Sequence, residues 1–216
     1  MRLLITGFEP FGGEAYNPSQ ACLPLLAEAL ARRGIGVQTA VLPVEIGRVP
    51  QELHMLLHDY DPDIYLGLGL AGGRPSLSIE RVGVNVLDFE MPDNAGTVIQ
   101  DEPIATGGPA AYFSTLPVRA MAQASSEAHV PMYVSNSAGA YLCNAALYLG
   151  LHWAHTAHRS TVPGIGFIHL PFAAESAPRR PAPALPLEFM ARGIGHALMA
   201  ALEAGSAHPG QIGDQG

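Results

Sequence analysis

Side chains able to attack a carbonyl are few in this sequence, and their surroundings separate them. Cys143 closes the run Ser135-Asn136-Ser137-Ala138-Gly139-Ala140-Tyr141-Leu142-Cys143-Asn144, which reads as a strand end, a glycine turn and the start of a helix. Unpaired amides and the dipole at a helix N-terminus stabilise a thiolate, the form of cysteine that attacks. Packing as a small buried apolar side chain is the competing reading. That second reading is the stronger one for Cys22, inside a predicted helix among Ala21, Leu23 and Leu26. A cysteine nucleophile also needs a base and a group to orient that base. Of nine histidines, only His169 ends an apolar strand pattern, Gly166-Phe167-Ile168-His169-Leu170-Pro171. Ligand sites of open α/β sheets gather at the C-terminal strand edge, although a lone histidine there also fits a satisfied core position. Cys143 and His169 converge on one edge.

Other chemistries fit less well. Ser137 lies in S-N-S-A-G and lacks the first glycine of the G-x-S-x-G nucleophile turn. His54 and His58 share a helical face, but Met55 stands where a zinc peptidase carries its glutamate. His152, His155 and His158 fall toward a helix C-terminus, where solvated histidines suit the negative dipole end. No metal is expected. Gly67-Leu68-Gly69-Leu70-Ala71-Gly72 has the form G-x-G-x-x-G, yet Arg74-Pro75 and alternating strand residues follow it. A dinucleotide site needs a helix to open there, so no cofactor is expected. All eleven cations are arginine, which excludes Schiff-base, pyridoxal-phosphate and P-loop lysine chemistry. Nineteen carboxylates leave a net charge of −8 and no basic stripe, which argues against nucleic acid as a partner.

The elements that must position Cys143 and His169 can be read from periodicity. Residues 2–6, 37–44 and 63–69 are strand patterns, and residues 17–33 and 48–60 are helical ones, with Asn17 as N-cap and Pro18 in the first turn. This β-α-β-α-β series predicts an α/β fold: a single three-layer α/β/α domain over residues 1–216 with a twisted, mainly parallel sheet. Residues 78–89 alternate with period two, suggesting strands with a polar face in a hairpin, and residues 91–109 read as a long loop. Helices are expected over 117–128, 141–158 and 187–204, and strands over 132–135 and 164–170. Residues 176–186 form a Pro-rich connector, and residues 205–216 a frayed tail. No apolar run is long and clean enough for a membrane span, and no leader is expected ahead of residues 1–5, which lack an apolar leader core. Two cysteines are too few for a disulfide framework, which fits a cytoplasmic protein.

Several segments, in order, match one family. Gly7-Phe8-Glu9-Pro10-Phe11-Gly12-Gly13 with Asn17-Pro18-Ser19 resembles the opening of pyroglutamyl peptidase type I, the pyrrolidone-carboxylate peptidases. Ala71-Gly72-Gly73-Arg74, Glu80-Arg81-Val82, Asn85 and Pro92-Asp93-Asn94 resemble its central block. Gly107 to Tyr112, Ser135 to Asn144 and Gly166 to Pro171 continue the match. The resemblance implies a cofactor-free cysteine exopeptidase that removes an N-terminal pyroglutamyl residue from peptides. It implies a triad of Cys143 as nucleophile, His169 as base and Glu80 as the group that orients the imidazole. Alone, Glu80 reads as a solvated strand carboxylate. The resemblance also implies ring contacts from Phe8 and Phe11 and a homotetramer or homodimer; Tyr141 and Leu142, just before Cys143, would form another wall. A small, flat, uncharged ring suits aromatic walls with a few backbone partners.

Two positions depart from the family pattern. Leu70 replaces a glutamine before the A-G-G-R block, so one polar contact or oxyanion helper is missing. Glu90 replaces an arginine before P-D-N, so a cation at the site must come from Arg74, Arg81 or elsewhere. Activity is expected to survive, because the triad positions and the Phe pair are intact. The rivals are another Cys/His amidohydrolase with a reshaped pocket, and a catalytically silent binder of lactam peptides.

Overall fold

Strands buried on both faces are apolar along nearly their whole length, and three short runs of this chain, broken only by Thr6 and His169, meet that condition. They are β1 (Leu3–Phe8), β3 (Ile64–Leu70) and β10 (Gly164–Leu170), and almost every residue in them is buried. β2 (Val37–Leu42), β4 (Leu77–Glu80) and β9 (Met132–Ser135) complete a six-stranded sheet. In the computed structural model, which describes residues 1–157, 159–176 and 181–207, the sheet order is β2-β1-β3-β10-β4-β9. β2, β1, β3 and β10 run parallel. β4 is antiparallel to β10 and parallel to β9. The sheet is mainly parallel, as the sequence pattern predicts.

Side chains alternate across a strand, so each strand feeds two cores. Leu3, Ile5, Leu66, Leu68 and Ile168 pack under α1 (Pro18–Ala31), α3 (Val118–Glu127) and α5 (Leu187–Ala207). Leu4, Tyr65, Ile165 and Phe167 face α2 (Val49–Tyr60) and α4 (Leu142–Thr156). The result is three layers, helices–sheet–helices. α1 starts as expected: the Asn17 side chain accepts from the Ser19 N–H and Pro18 occupies the first turn.

The middle of the chain differs from expectation. The alternating residues 78–89 do not fold back on one another. β4 enters the main sheet and is wholly buried, Ser78 and Glu80 included. β5 (Val82–Val84) pairs with β8 (Ala111–Phe113), and β6 (Leu87–Phe89) pairs with β7 (Ile99–Glu102). The period was real, but the partners lie farther along, and β7 falls within the predicted loop. β4 does carry the expected polar face, Ser78 and Glu80, but that face is buried, with Arg74 bonding both side chains. A short parallel pair joins β11 (Phe172–Ala173) to β12 (Ala184–Leu185), which falls within the expected connector. Residues 177–180 of that connector, His158 and residues 208–216 of the expected tail lie outside the described residues. α5 continues through residues 205–207, where a frayed chain was expected.

Candidate active site

The C-terminal ends of β3 and β10 meet one end of β4 in a single row. Gly69 of β3 is in register with His169 of β10, which is in register with Ser78 of β4. Cys143 is the second residue of α4, and its sulfur lies over Gly69. A methyl group built on Gly69 would come 2.7 Å from Sγ and 2.8 Å from the Phe167 ring, so only glycine leaves the thiol this place. His169 is 4% exposed, and its Nδ1 lies 2.8 Å from Oε1 of Glu80, which is fully buried. Sequence placement brought Cys143 and His169 to this edge. Glu80 joins them by burial and by its bond to the imidazole.

The electrostatics follow from burial opposed by partners. Burial alone would raise the Glu80 carboxyl. The hydrogen bond and charge of His169, then Ser135 and Arg74, hold it below the ordinary carboxylate range. Burial lowers His169 below 6.5 and outweighs the pull of Glu80, so the ring is neutral at neutral pH. Cys143 opens partly to a cleft, yet burial and the Glu80 charge push its thiol up to about 12. Arg74 and the backbone N–H of Cys143 itself act in the other direction without prevailing. The thiolate expected at the helix start is therefore corrected: the site rests as a neutral thiol beside a neutral imidazole, because desolvation outweighs the first-turn amides. Arg74 supplies the local cation, donating to Glu80 Oε1, to Ser78 Oγ and, over 3.0 Å, to the Ser137 carbonyl.

Cys143 and His169 open onto a cleft of about 530 Å³. Phe11, Tyr141 and Phe89 form an aromatic wall, with ring centroids 6.1 Å apart for Phe11–Tyr141 and 4.6 Å for Phe89–Tyr141. Leu70 and Glu90 also line it, and so do Glu14, Met91, Ala138 and Phe172, none of which the sequence had singled out as site residues. Phe8 and Leu142 are not among the residues that line the cleft. They are 2% and 1% exposed and lie in the core on the α2–α4 side, with Phe8 6.5 Å from the Phe167 ring. Packed there, they support the aromatic wall from behind.

The loops of the cleft are pinned by the polar residues of the sequence blocks. Asn17 donates to the Glu9 carbonyl, and Ser19 Oγ accepts from the Phe8 N–H. Gly7 lets the chain pass the start of α1, since a Cβ there would sit 2.5 Å from the Ser19 carbonyl oxygen. Glu9 accepts from the Val44 N–H and from Asn94. Asp93 accepts from the N–H groups of Ile46, Ala95 and Thr97, and its carboxyl is held low by those bonds against burial. Three segments distant in sequence thus become one wall.

The remaining candidates go elsewhere. Cys22 is fully buried, its thiol also raised to about 12 by burial. The glycines of residues 67–72 admit Phe167, the Cys143 sulfur and Phe172. His54 and His58 are exposed, His152 bonds the Tyr112 hydroxyl, and His155 bonds the Leu151 carbonyl. Among the described residues no group of three or more His, Cys, Asp and Glu could hold a metal ion. A second concavity of about 460 Å³ between α1 and α5 contains neither cysteine. No helix among the described residues is long and apolar enough to cross a membrane.

A thiol, an imidazole and a carboxylate at the strand ends of a three-layer α/β/α sheet define the class of α/β cysteine hydrolases. Residues 1–204 match the family model described as pyroglutamyl peptidase, and the chain belongs to that family. It is 48% identical over 200 residues to the pyrrolidone-carboxylate peptidase of Streptomyces coelicolor, covering 93% of this chain and 91% of that one. The namesake of Thermococcus kodakarensis is 43% identical over 194 residues, with 90% and 92% covered. A mutant pyrrolidone carboxyl peptidase from Pyrococcus furiosus superposes with a TM-score of 0.85 at 40% identity, covering 94% of this chain and 99% of that structure.

Proposed function

We propose that this protein is a cysteine exopeptidase that hydrolyses the bond after an N-terminal pyroglutamyl residue of peptides. Cys143 serves as nucleophile, His169 as base and Glu80 as its orienting group. The observation that carries this reading is the 2.8 Å bond from His169 Nδ1 to buried Glu80, with the Cys143 sulfur seated over Gly69, the strand neighbour of His169. An ionised Glu80 accepts only, so Nδ1 carries the proton and Nε2 is left as the acceptor. Because the thiol is neutral at rest, its proton passes to Nε2 as sulfur bonds to the pyroglutamyl carbonyl carbon. The imidazolium then gives that proton to the departing peptide amine. Water, deprotonated by the same nitrogen, hydrolyses the thioester and restores the thiol. The N–H of Cys143, in the first turn of a helix whose Tyr141 cap offers it no side chain, faces the oxyanion.

The pyroglutamyl ring stacks against Phe11, Tyr141 and Phe89, with Leu70 as a further apolar contact. Leu70 and Glu90 both line the cleft, which keeps a related amide specificity as the second reading. A cytoplasmic homodimer or homotetramer accords with the free thiols and the family resemblance. Release of a fluorophore from pyroglutamyl, prolyl and glutaminyl anilides tests the function. Turnover of the pyroglutamyl anilide alone, abolished in Cys143→Ala, is expected. Folded wild-type protein that leaves this substrate intact would overturn the proposal, and preference for another anilide would select the second reading.

A further inference from the structure

Two donors converge on one oxygen of Glu80. His169 Nδ1 and Arg74 Nη1 both bond Oε1; Oε2 is buried and makes no hydrogen bond among the described residues, with the Ser135 hydroxyl close enough to help hold the carboxyl low. A buried carboxylate facing a neutral ring is costly, and a guanidinium is the group that offsets that cost here. Arg74 does more than neutralise. Its fork also bonds Ser78 Oγ, beside His169 in the sheet, and the Ser137 carbonyl. Ser137 lies in the segment that leads from β9 to α4 and so to Cys143. A trans peptide sends its C=O and the next N–H in opposite directions. With the Ser137 carbonyl turned to Arg74, the Ala138 N–H is turned away from it. Ala138 lines the cleft, and this N–H makes no hydrogen bond among the described residues.

From these contacts we infer that Arg74 is a positioning residue for the reaction: one guanidinium balances the buried charge of Glu80 under His169 and fixes the loop that presents Cys143, leaving the Ala138 N–H as a second oxyanion donor. The inference rests on the roles proposed above for the triad. Lysine could supply the charge but not the planar fork that spans β4 and the Ser137 carbonyl. The charged and titratable groups around His169 are Glu80 from β4, Arg74 from the loop before it and Cys143 from α4, with Glu14 and Glu90 across the cleft.

Three variants separate charge from fork: Arg74→Lys, Arg74→Gln and Arg74→Ala. In each, kcat and KM on the pyroglutamyl anilide are measured against pH, together with the pH dependence of Cys143 alkylation by iodoacetamide, read on the Cys143 peptide. Arg74→Ala is expected to lose about 10²-fold in kcat with KM changed little, as misplacement of the reacting groups does. Its charge lowers both thiol and imidazole, so without it the acid limb and the alkylation profile move to higher pH. Arg74→Gln shares that shift. Arg74→Lys keeps the wild-type limb but remains below wild type in kcat, and added methylguanidine restores part of the Arg74→Ala rate. Wild-type kcat and unshifted profiles in folded Arg74→Gln and Arg74→Lys would overturn the inference, even if melting temperatures fell. The alkylation profile needs no substrate. Failure of the proposed function would show as an inactive wild type or an active Cys143→Ala, and failure of this inference as indifferent Arg74 variants.

Discussion

Gly69 decides where the sulfur of Cys143 can sit. Gly69→Ala would drive a methyl into Sγ and the Phe167 ring, and moving a nucleophile by about 1 Å costs on the order of 10²-fold in rate. Steady-state kinetics of Gly69→Ala should therefore show the loss in kcat, with the circular dichroism spectrum unchanged. At the rim, the exposed carboxylate of Glu90 lines the cleft with Glu14. Peptides with arginine after the pyroglutamyl group should be cleaved roughly two- to fivefold faster than those with aspartate. Glu90→Arg should reverse that order, and salt should shrink it, because rim charges are screened. Equal rates at low salt would contradict this. Cys143 and His169 were legible from their places at a helix start and a strand end. Glu80 was not, because what makes it special is burial between His169 and Arg74, and only the family resemblance pointed to it. Leu142 lies between Tyr141 and Cys143, and in the first turn of α4 one step turns a side chain into the core.

Asn144 couples α4 to the small strands at the scale of elements. Fully buried beside the nucleophile, it accepts from the Val84 N–H and donates to the carbonyls of Val84 and Val86. Asn144→Ala would strand those three backbone groups at about 1–3 kcal/mol for each left unsatisfied. Urea unfolding should show a clearly lower midpoint, and an unchanged midpoint would refute the coupling. The strands and helices around the site were readable from apolar runs and from the Asn17-Pro18 start of α1. The pairing of residues 78–113 was not, since alternation tells which face a side chain takes and not which strand lies beside it. β4 hid its role because two of its four residues are polar yet buried, and their partners sit in other elements.

Titration links the site to the stability of the whole molecule. Glu80 and His169 have folded pKa values below their unfolded ones, so the stability they contribute is present above those unfolded values and is lost on acidification. Cys22 and Cys143 are raised from 9.0 to about 12, so the folded state holds protons the unfolded chain releases, and stability falls as pH climbs through that interval. Chemical denaturation should be hardest between about pH 6.5 and 9, and Cys22→Ala should flatten the alkaline decline. A stability that rises from pH 9 to 11 would contradict the burial of the thiols. Three layers with helices on both faces make this possible, because they sink the strand ends deep enough for desolvation to govern the thiol and the ring. The most direct test of the account is to quench the protein in acid while it turns over an activated pyroglutamyl aryl ester and to map the acyl group by mass spectrometry. One pyroglutamyl group on the Cys143 peptide, absent in Cys143→Ala, is the result predicted. Release of the aryl alcohol with Cys143 unmodified and the acyl group on another residue, or undiminished turnover by Cys143→Ala, would contradict it.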